Sequence, residues 1–477
     1  MSQIPKDWKN LCNFATQTIQ MKVSDNYFIH NVFVVNEGKV FKADVVVQQG
    51  KIARILKMNV PIEDLELEDN TIFIDATDKY LLPGIIDEHV HFREPGLMHK
   101  GDMYSESRAA VAGGVTSVMD MPNVIPQTTN IETLNERFKL AEGKMFTNYS
   151  FYLGATNQNQ DDIRQIDNAR ICGIKLFMGS STGNMLVSED TVLEQLFQIK
   201  NIPIAVHCED EDIISANMQK AKEQYGEDVP IEEHPNIRSE EACVVSTQKA
   251  VELARKHGTQ LHVLHLTTAK ELSLFSQQYP NITAEACVAY LYFDNKDYAN
   301  FGTRMKCNPA IKTANDKQTL LDAVVSGTIT TIGSDHAPHT EEEKQNTYFN
   351  APSGILMVQH ILPLMLELCK DGKIKLQTIV ERMSHAPARI YQVEERGFIR
   401  EGYSADLVLV DMEKESTIDK DTIYYKCNWS PFEGRKLHTY IEKTFVNGVL
   451  VFDDGQFPAS PNGKPLQFNR DKLVIND

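Results

Sequence analysis

The sequence predicts an α/β protein: a (β/α)8 barrel of the TIM type, with a small β-sandwich domain formed from both chain termini. Three observations predict it. Short β-rich segments occupy both ends of the chain. Between them, apolar runs alternate with longer stretches of helical pattern, the mark of βα units around a parallel sheet. Eight such runs fall within about 300 residues, the number a closed barrel needs.

At the N-terminal end, FIHNVFVVN and FKADVVVQQGKIARIL lie within residues 27–56. Both are rich in Val, Ile and Phe, with turns at Glu37-Gly38 and Gly50-Lys51. Another short apolar run covers 71–74. The other end resembles the first. ADLVLVD (405–411) precedes EKTFVNGVLVFDDGQ (442–456), in which Asn447-Gly448 signals a hairpin turn. These segments assign 1–77 and 400–477 to one composite β domain and 78–399 to the barrel. The first four barrel strands are LLPGIIDEHVHF (81–92), VTSVMDM (115–121), NYSFYLG (148–154) and ICGIKLF (171–177). The second four are IPIAVHC (202–208), QLHVLHL (260–266), NITAEAC (281–287) and TITTIGSD (328–335). Helical stretches such as 131–144 and 240–258 separate them.

The 477 residues carry 48 Lys+Arg against 66 Asp+Glu, a net charge of −18. That balance speaks against sequence-independent nucleic-acid binding, which needs cations to neutralise phosphates. It also speaks against docking on anionic membrane surfaces. No apolar run reaches the ~18–20 residues of a membrane-spanning helix. The opening MSQIPKDWKN lacks the charged and apolar regions of a secretory signal. The eight cysteines are scattered with no C-x-x-C pair, as expected for reduced thiols in a cytoplasmic protein.

Barrel active sites collect at the C-terminal ends of the strands, and candidate ligands fall there. His89 and His91 form an H-x-H at the end of the first strand, a spacing that puts both imidazoles on one face. Lys175, His207, His265 and Asp335 end strands four, five, six and eight. Each has a bland alternative: a rim lysine for Lys175, a core histidine for His207, a helix cap for Asp335. Five bland readings would have to coincide at strand ends, so a joint metal site is the better reading. Strand alternation turns His262 toward the helix layer, where it is structural. A lysine can ligate only after losing its proton, and a carbamate formed with CO2 makes Lys175 an anion able to bridge two ions ~3.5–4 Å apart. Two His and Asp335 then serve one metal and two His the other, a donor set that suits Zn2+ best, with Mn2+ or Co2+ as alternatives.

With these residues in place, the chain resembles the metal-dependent amidohydrolase superfamily. H-V-H at 89–91, G-I-K at 173–175, His207, His265 and GSDHAPH (333–339) carry the resemblance. More narrowly, DEHVHFREPG (87–96), MDMPNVIPQT (119–128) and KLFMGSSTGNMLV (175–187) resemble the long-chain dihydroorotases, as does SPFEG (430–434). The resemblance implies reversible, zinc-dependent hydrolysis of (S)-dihydroorotate to N-carbamoyl-L-aspartate, with Asp335 as catalytic base. It implies two Zn2+ ions bridged by N6-carboxylated Lys175, and a homodimer. Arg93 suits the substrate carboxylate, because a guanidinium–carboxylate fork is its natural anchor. By position, Asn123, Asn308 and His339 hold the substrate, and Ser353 and Gly354 present backbone groups to the ring.

The chain departs from the family pattern at the rim. Val288, Ala289 and Tyr290 stand where Pro-His-His is common, Lys312 where an arginine is usual, and Ser353 within Ala351-Pro352-Ser353-Gly354 replaces the usual Phe. No metal ligand is lost. Two alternatives remain open: a hydantoinase- or allantoinase-like cyclic amidase, and a non-catalytic scaffold.

Overall fold

The computed structural model describes residues 26–57, 65, 67–179 and 185–470. Residues 1–25 and 471–477 of the expected β domain, and 180–184 of the KLFMGSSTGNMLV motif, lie outside the described residues. The fold is a (β/α)8 barrel with a small β-sandwich domain.

The N-terminal strands are β1 (Tyr27–Asn36), β2 (Lys39–Gln48), β3 (Lys51–Lys57), β4 (Ile72–Asp75) and β5 (Tyr80–Pro83). Strands β1 and β2 pair antiparallel across a tight turn in which Glu37 and Gly38 both take positive φ, as hairpin turns require. The barrel strands are β6 (Ile85–Val90), β7 (Val115–Asp120), β8 (Asn148–Phe151) continued by β9 (Leu153–Gly154), β10 (Ile174–Phe177), β11 (Ile204–His207), β12 (Leu261–Val263), β13 (Ile282–Cys287) and β14 (Thr331–Gly333). Neighbouring strands pair in parallel, and a bridge from Val90 to His336 joins the eighth strand's end to the first. The C-terminal strands are β15 (Leu407–Asp411), β16 (Ser416–Thr417), β17 (Lys436–Leu437), β18 (Tyr440–Val446) and β19 (Val449–Asp453).

Strands from the two ends form one sheet in the order β19-β18-β15-β5-β1-β2-β3, with β4 also on β1. Its apolar face buries Ile29, Val34, Val45, Leu81, Leu407 and Phe445 together. The ends meet closely: a Cβ on Gly448, which follows Asn447 in the β18–β19 turn, would lie 2.5 Å from the Gly50 Cα. Only glycine permits that approach. Asp406 joins the sheet to the barrel, accepting from the Asn447 amide at 2.7 Å and from Asn148 Nδ2 of β8 at 3.1 Å, and pairing with Arg396.

The segment 81–92, expected as one strand, is two. Leu81–Pro83 belongs to β5 in the terminal sheet and the chain enters the barrel after Gly84, where a Cβ would meet Thr116 Oγ1 at 2.1 Å. The last described stretch leaves the sheet and runs along the barrel: Tyr149 bridges to Pro465 and Val393 to Phe468.

Alternation within the strands separates core from site. Ile174 and Leu176 pack among the apolar residues under the helices, whereas Lys175 and Phe177 line the cleft. The helix Glu240–His257 behind β12 has Ser239 accepting from the Ala242 amide, acidic residues in its first turn, basic ones in its last, and left-handed Gly258 as its cap. Each of these features favours a helix with those ends. Among the described residues no helix is long and apolar enough to cross a membrane.

Candidate metal centre and substrate cleft

All the expected site residues border one cleft of about 360 Å3 at the C-terminal end of the barrel: His89, His91, Arg93, Asn123, Lys175, His207, His265, Asn308, Asp335, His339, Ser353 and Gly354. Three of them owe their direction to uncommon backbone. Arg93, His265 and Asp335 have φ of 69°, 40° and 45°. Left-handed backbone at a non-glycine residue costs about 1–2 kcal/mol, and such strain gathers at functional sites.

His89 and His91 direct their Nε2 atoms to one point, 3.2 and 3.1 Å from Asp335 Oδ1. Their Nδ1 atoms are held from behind, His89 by Glu285 Oε1 at 2.9 Å and His91 by Asn123 Oδ1 at 2.7 Å. Donation from Nδ1 leaves each Nε2 as the free lone pair, the arrangement metal-ligating histidines need. On the other side, His207 Nδ1 and His265 Nε2 approach to 3.0 Å. His207 Nε2 faces Glu209 Oε2 at 2.9 Å, and Arg238 pairs with the same carboxylate. Glu285 also accepts the His265 amide at 2.9 Å, so one carboxylate fixes two ligand candidates.

Lys175 stands between these pairs, 1% exposed, with Nζ 4.7 Å from the centroid of Phe177. The rim-lysine alternative is therefore excluded. Burial pulls its pKa down to about 8, against the pull of Asp335 and Glu285. Burial also lowers His91 to about 4 and His265 well below the usual imidazole value, so both are neutral imidazoles at physiological pH. For Asp335, burial raises the pKa, but the charge of His89 and the His91 contact outweigh it and keep the carboxyl ionised. Asp335 caps nothing: Thr340 caps the next helix, accepting from the Glu343 amide.

His89, His265 and Asp335 form a group able to hold a metal ion. The fit extends to chemistry, with imidazoles, an ionised carboxylate and a lysine whose amine is easily deprotonated, and imidazole with carboxylate suits Zn2+.

At the substrate end, Arg93 is buried, its Nε donating to Pro338 O at 3.1 Å and one terminal nitrogen 3.1 Å from His339 Nε2. His339 Nε2 also faces Ser353 O at 3.1 Å, and Lys100 Nζ lies 3.0 Å from Nδ1. Nδ1 therefore accepts from Lys100 and Nε2–H donates to Ser353, leaving the nearby Arg93 N–H groups to other acceptors. Ser353 Oγ donates to Asn308 Oδ1 at 3.1 Å. The Gly354 amide is already committed to Lys306 O at 2.9 Å. Of the rim departures, Tyr290 turns its hydroxyl to Pro309 O, and Lys312 donates to Ala310 O.

His262 corrects the alternation argument. It pairs with Ala205 and Thr283 on the inner face, its Nδ1 2.8 Å from Thr283 Oγ1 and Nε2 3.7 Å from Glu88 Oε1. It points into the barrel beneath the cleft residues, because β12 ends at Val263 and left-handed His265 escapes the alternation. Sequence reasoning also missed Glu209, the orienting role of Glu285, and Lys306 on the cleft wall. The H-x-E spacing of His207 and Glu209 was the one available signal.

Residues 80–451 match the amidohydrolase family, and the chain belongs to it. It is a cyclic amide hydrolase. Within that class it is similar to the dihydroorotases of Methanothermobacter thermautotrophicus (30% identity, covering 88% of this chain and 99% of that protein) and Pediococcus pentosaceus (32%, 89% and 98%). Among solved structures it is similar to an L-hydantoinase (dihydropyrimidinase) from Arthrobacter aurescens: TM-score 0.87, 27% identity, 93% of this chain and 99% of that one.

Proposed function

We propose that the chain is a dihydroorotase, interconverting (S)-dihydroorotate and N-carbamoyl-L-aspartate. The observation that carries the reading is the buried Arg93 guanidinium in the same cleft as the paired histidines. A carboxylate on the ring is what such a group would recognise. His89, His91 and Asp335 would hold one Zn2+ ion, His207 and His265 a second, and carboxylated Lys175 both. When bound, the ions supply an acidified water and polarise the amide carbonyl.

The chain's own residues supply the rest. Arg93 binds the carboxylate, and the Asn123 and Asn308 amides orient the ring, so that attack is effectively intramolecular. Asn123 does this while its Oδ1 holds His91. Asp335 takes the proton released by the attacking water and delivers it to the departing amide nitrogen. Ring closure uses the same groups in reverse. The ionised state of Asp335 in the resting site supports its part as acceptor. The reading carries with it a homodimer in the cytoplasm.

The likeness to L-hydantoinase favours a second reading, a cyclic amidase for neutral rings. Turnover of dihydroorotate, hydantoin and allantoin by the purified zinc-loaded protein separates the two. Dihydroorotate is expected to be the preferred substrate by at least tenfold in kcat/KM; preference for hydantoin or allantoin would refute the reading.

A further inference from the structure

Lys344 is a fully buried lysine next to the cleft that catalysis, as described, does not use. It ends a one-turn helix, Glu341–Lys344. Its ammonium donates to three carbonyls: Lys306 O at 2.7 Å, and Pro352 O and Gly354 O at 2.9 Å each. An ammonium has three N–H donors, and all three are used. Among the described residues no carboxylate pairs with it. A buried cation without a counter-charge is costly, so its partners matter. All three carbonyls belong to residues that border the cleft.

Three other contacts act on the same seam. The Gly354 amide returns to Lys306 O, and Lys306 Nζ donates to Ala351 O at 2.7 Å and to Tyr348 O. Between these clamps Ser353 reaches Asn308. We propose that Lys344 is a positioning residue for substrate binding: it gathers the backbone of 352–354 onto that of Lys306 and so sets the wall that faces the ring. It acts on the substrate only through that wall, and its part in catalysis rests on the dihydroorotase reading. Burial lowers its pKa to about 7, and the three carbonyl acceptors favour the charged form that the clamp requires.

The test uses zinc-loaded enzyme carrying Lys344→Met, which keeps an unbranched chain one atom shorter but removes the donors. KM for (S)-dihydroorotate should rise at least tenfold, with kcat and bound zinc within threefold of wild type. Amide exchange at Gly354 should quicken at least tenfold. Lys344→Gln, which keeps two donors at shorter reach, should move both readouts in the same direction and serves if the methionine variant does not fold. Unchanged KM and unchanged exchange would overturn the proposal. So would a fall in kcat and zinc with KM unaltered, which would make Lys344 a support of the metal centre. Wild-type enzyme inert toward dihydroorotate would instead refute the assigned reaction, and the exchange comparison would still decide what Lys344 holds.

Discussion

Replacing Arg93 with methionine tests substrate recognition, because the side chain is placed for one task. Its Nε is fixed on Pro338 O, and the His339 tautomer leaves its terminal N–H groups to other acceptors. Burial lowers its pKa to about 10, so it is still a cation at neutral pH. Hydrogen bonds involving a charged group contribute roughly 1.5–3 kcal/mol each. Losing a two-point contact therefore removes about 3–6 kcal/mol, which at 1.36 kcal/mol per decade is on the order of 10²–10⁴-fold. The assay is steady-state ring opening by zinc-loaded protein, with dihydroorotate and hydantoin measured side by side. In Arg93→Met, kcat/KM for dihydroorotate should fall about 10²–10⁴-fold. Hydantoin, which has no carboxylate to lose, should change less than about threefold. If the variant kept dihydroorotate turnover within threefold of wild type at normal metal content, the guanidinium would not be the carboxylate anchor.

Asp335→Asn should lower kcat by about 10³-fold or more while the histidines retain at least one metal ion; near-normal turnover in a single-turnover assay would remove its assignment as base. Glu285→Gln weakens the hold on both His89 and His265 and should reduce zinc affinity about 10–100-fold, as measured by competition with a chelator. Carbamate formation needs the neutral amine, and a depressed pKa raises that fraction at any pH below it. With Lys175 at about 8, roughly one-tenth is neutral at pH 7, against about one part in 3,000 for an ordinary lysine. At a fixed concentration of dissolved CO2, reactivation of metal-free protein by zinc should therefore quicken as pH rises and level off above about 8; a rate still climbing tenfold per unit to pH 10 would contradict the shift.

The barrel was readable because strands of a parallel sheet, buried on both faces, are near-continuous apolar runs. The candidate metal residues were readable as a group because they sit where those runs end, and the structure brings them to one cleft. What escaped depends on backbone or on distant partners. The segment 81–92 passes between two sheets at Gly84, where a Cβ would meet Thr116, a residue the local pattern does not include. His262 was turned the wrong way because strict alternation was extended through His265, whose left-handed backbone breaks it. Arg238, which braces Glu209, and Lys344, which braces the rim, act across 29 and 38 residues of chain. Neither carries a local signal, since a charged residue on a helical stretch reads as solvated surface. The segment after β19 contains too few apolar residues to announce that Leu466 and Phe468 pack against the barrel.

The most direct test of the binuclear centre is diffraction from zinc-loaded crystals at the zinc absorption edge. Two anomalous peaks about 3.5–4 Å apart are expected, one beside His89, His91 and Asp335 and the other beside His207 and His265, with branched density on Lys175 between them. A single peak, or an unbranched Lys175 with both ions in place, would contradict it.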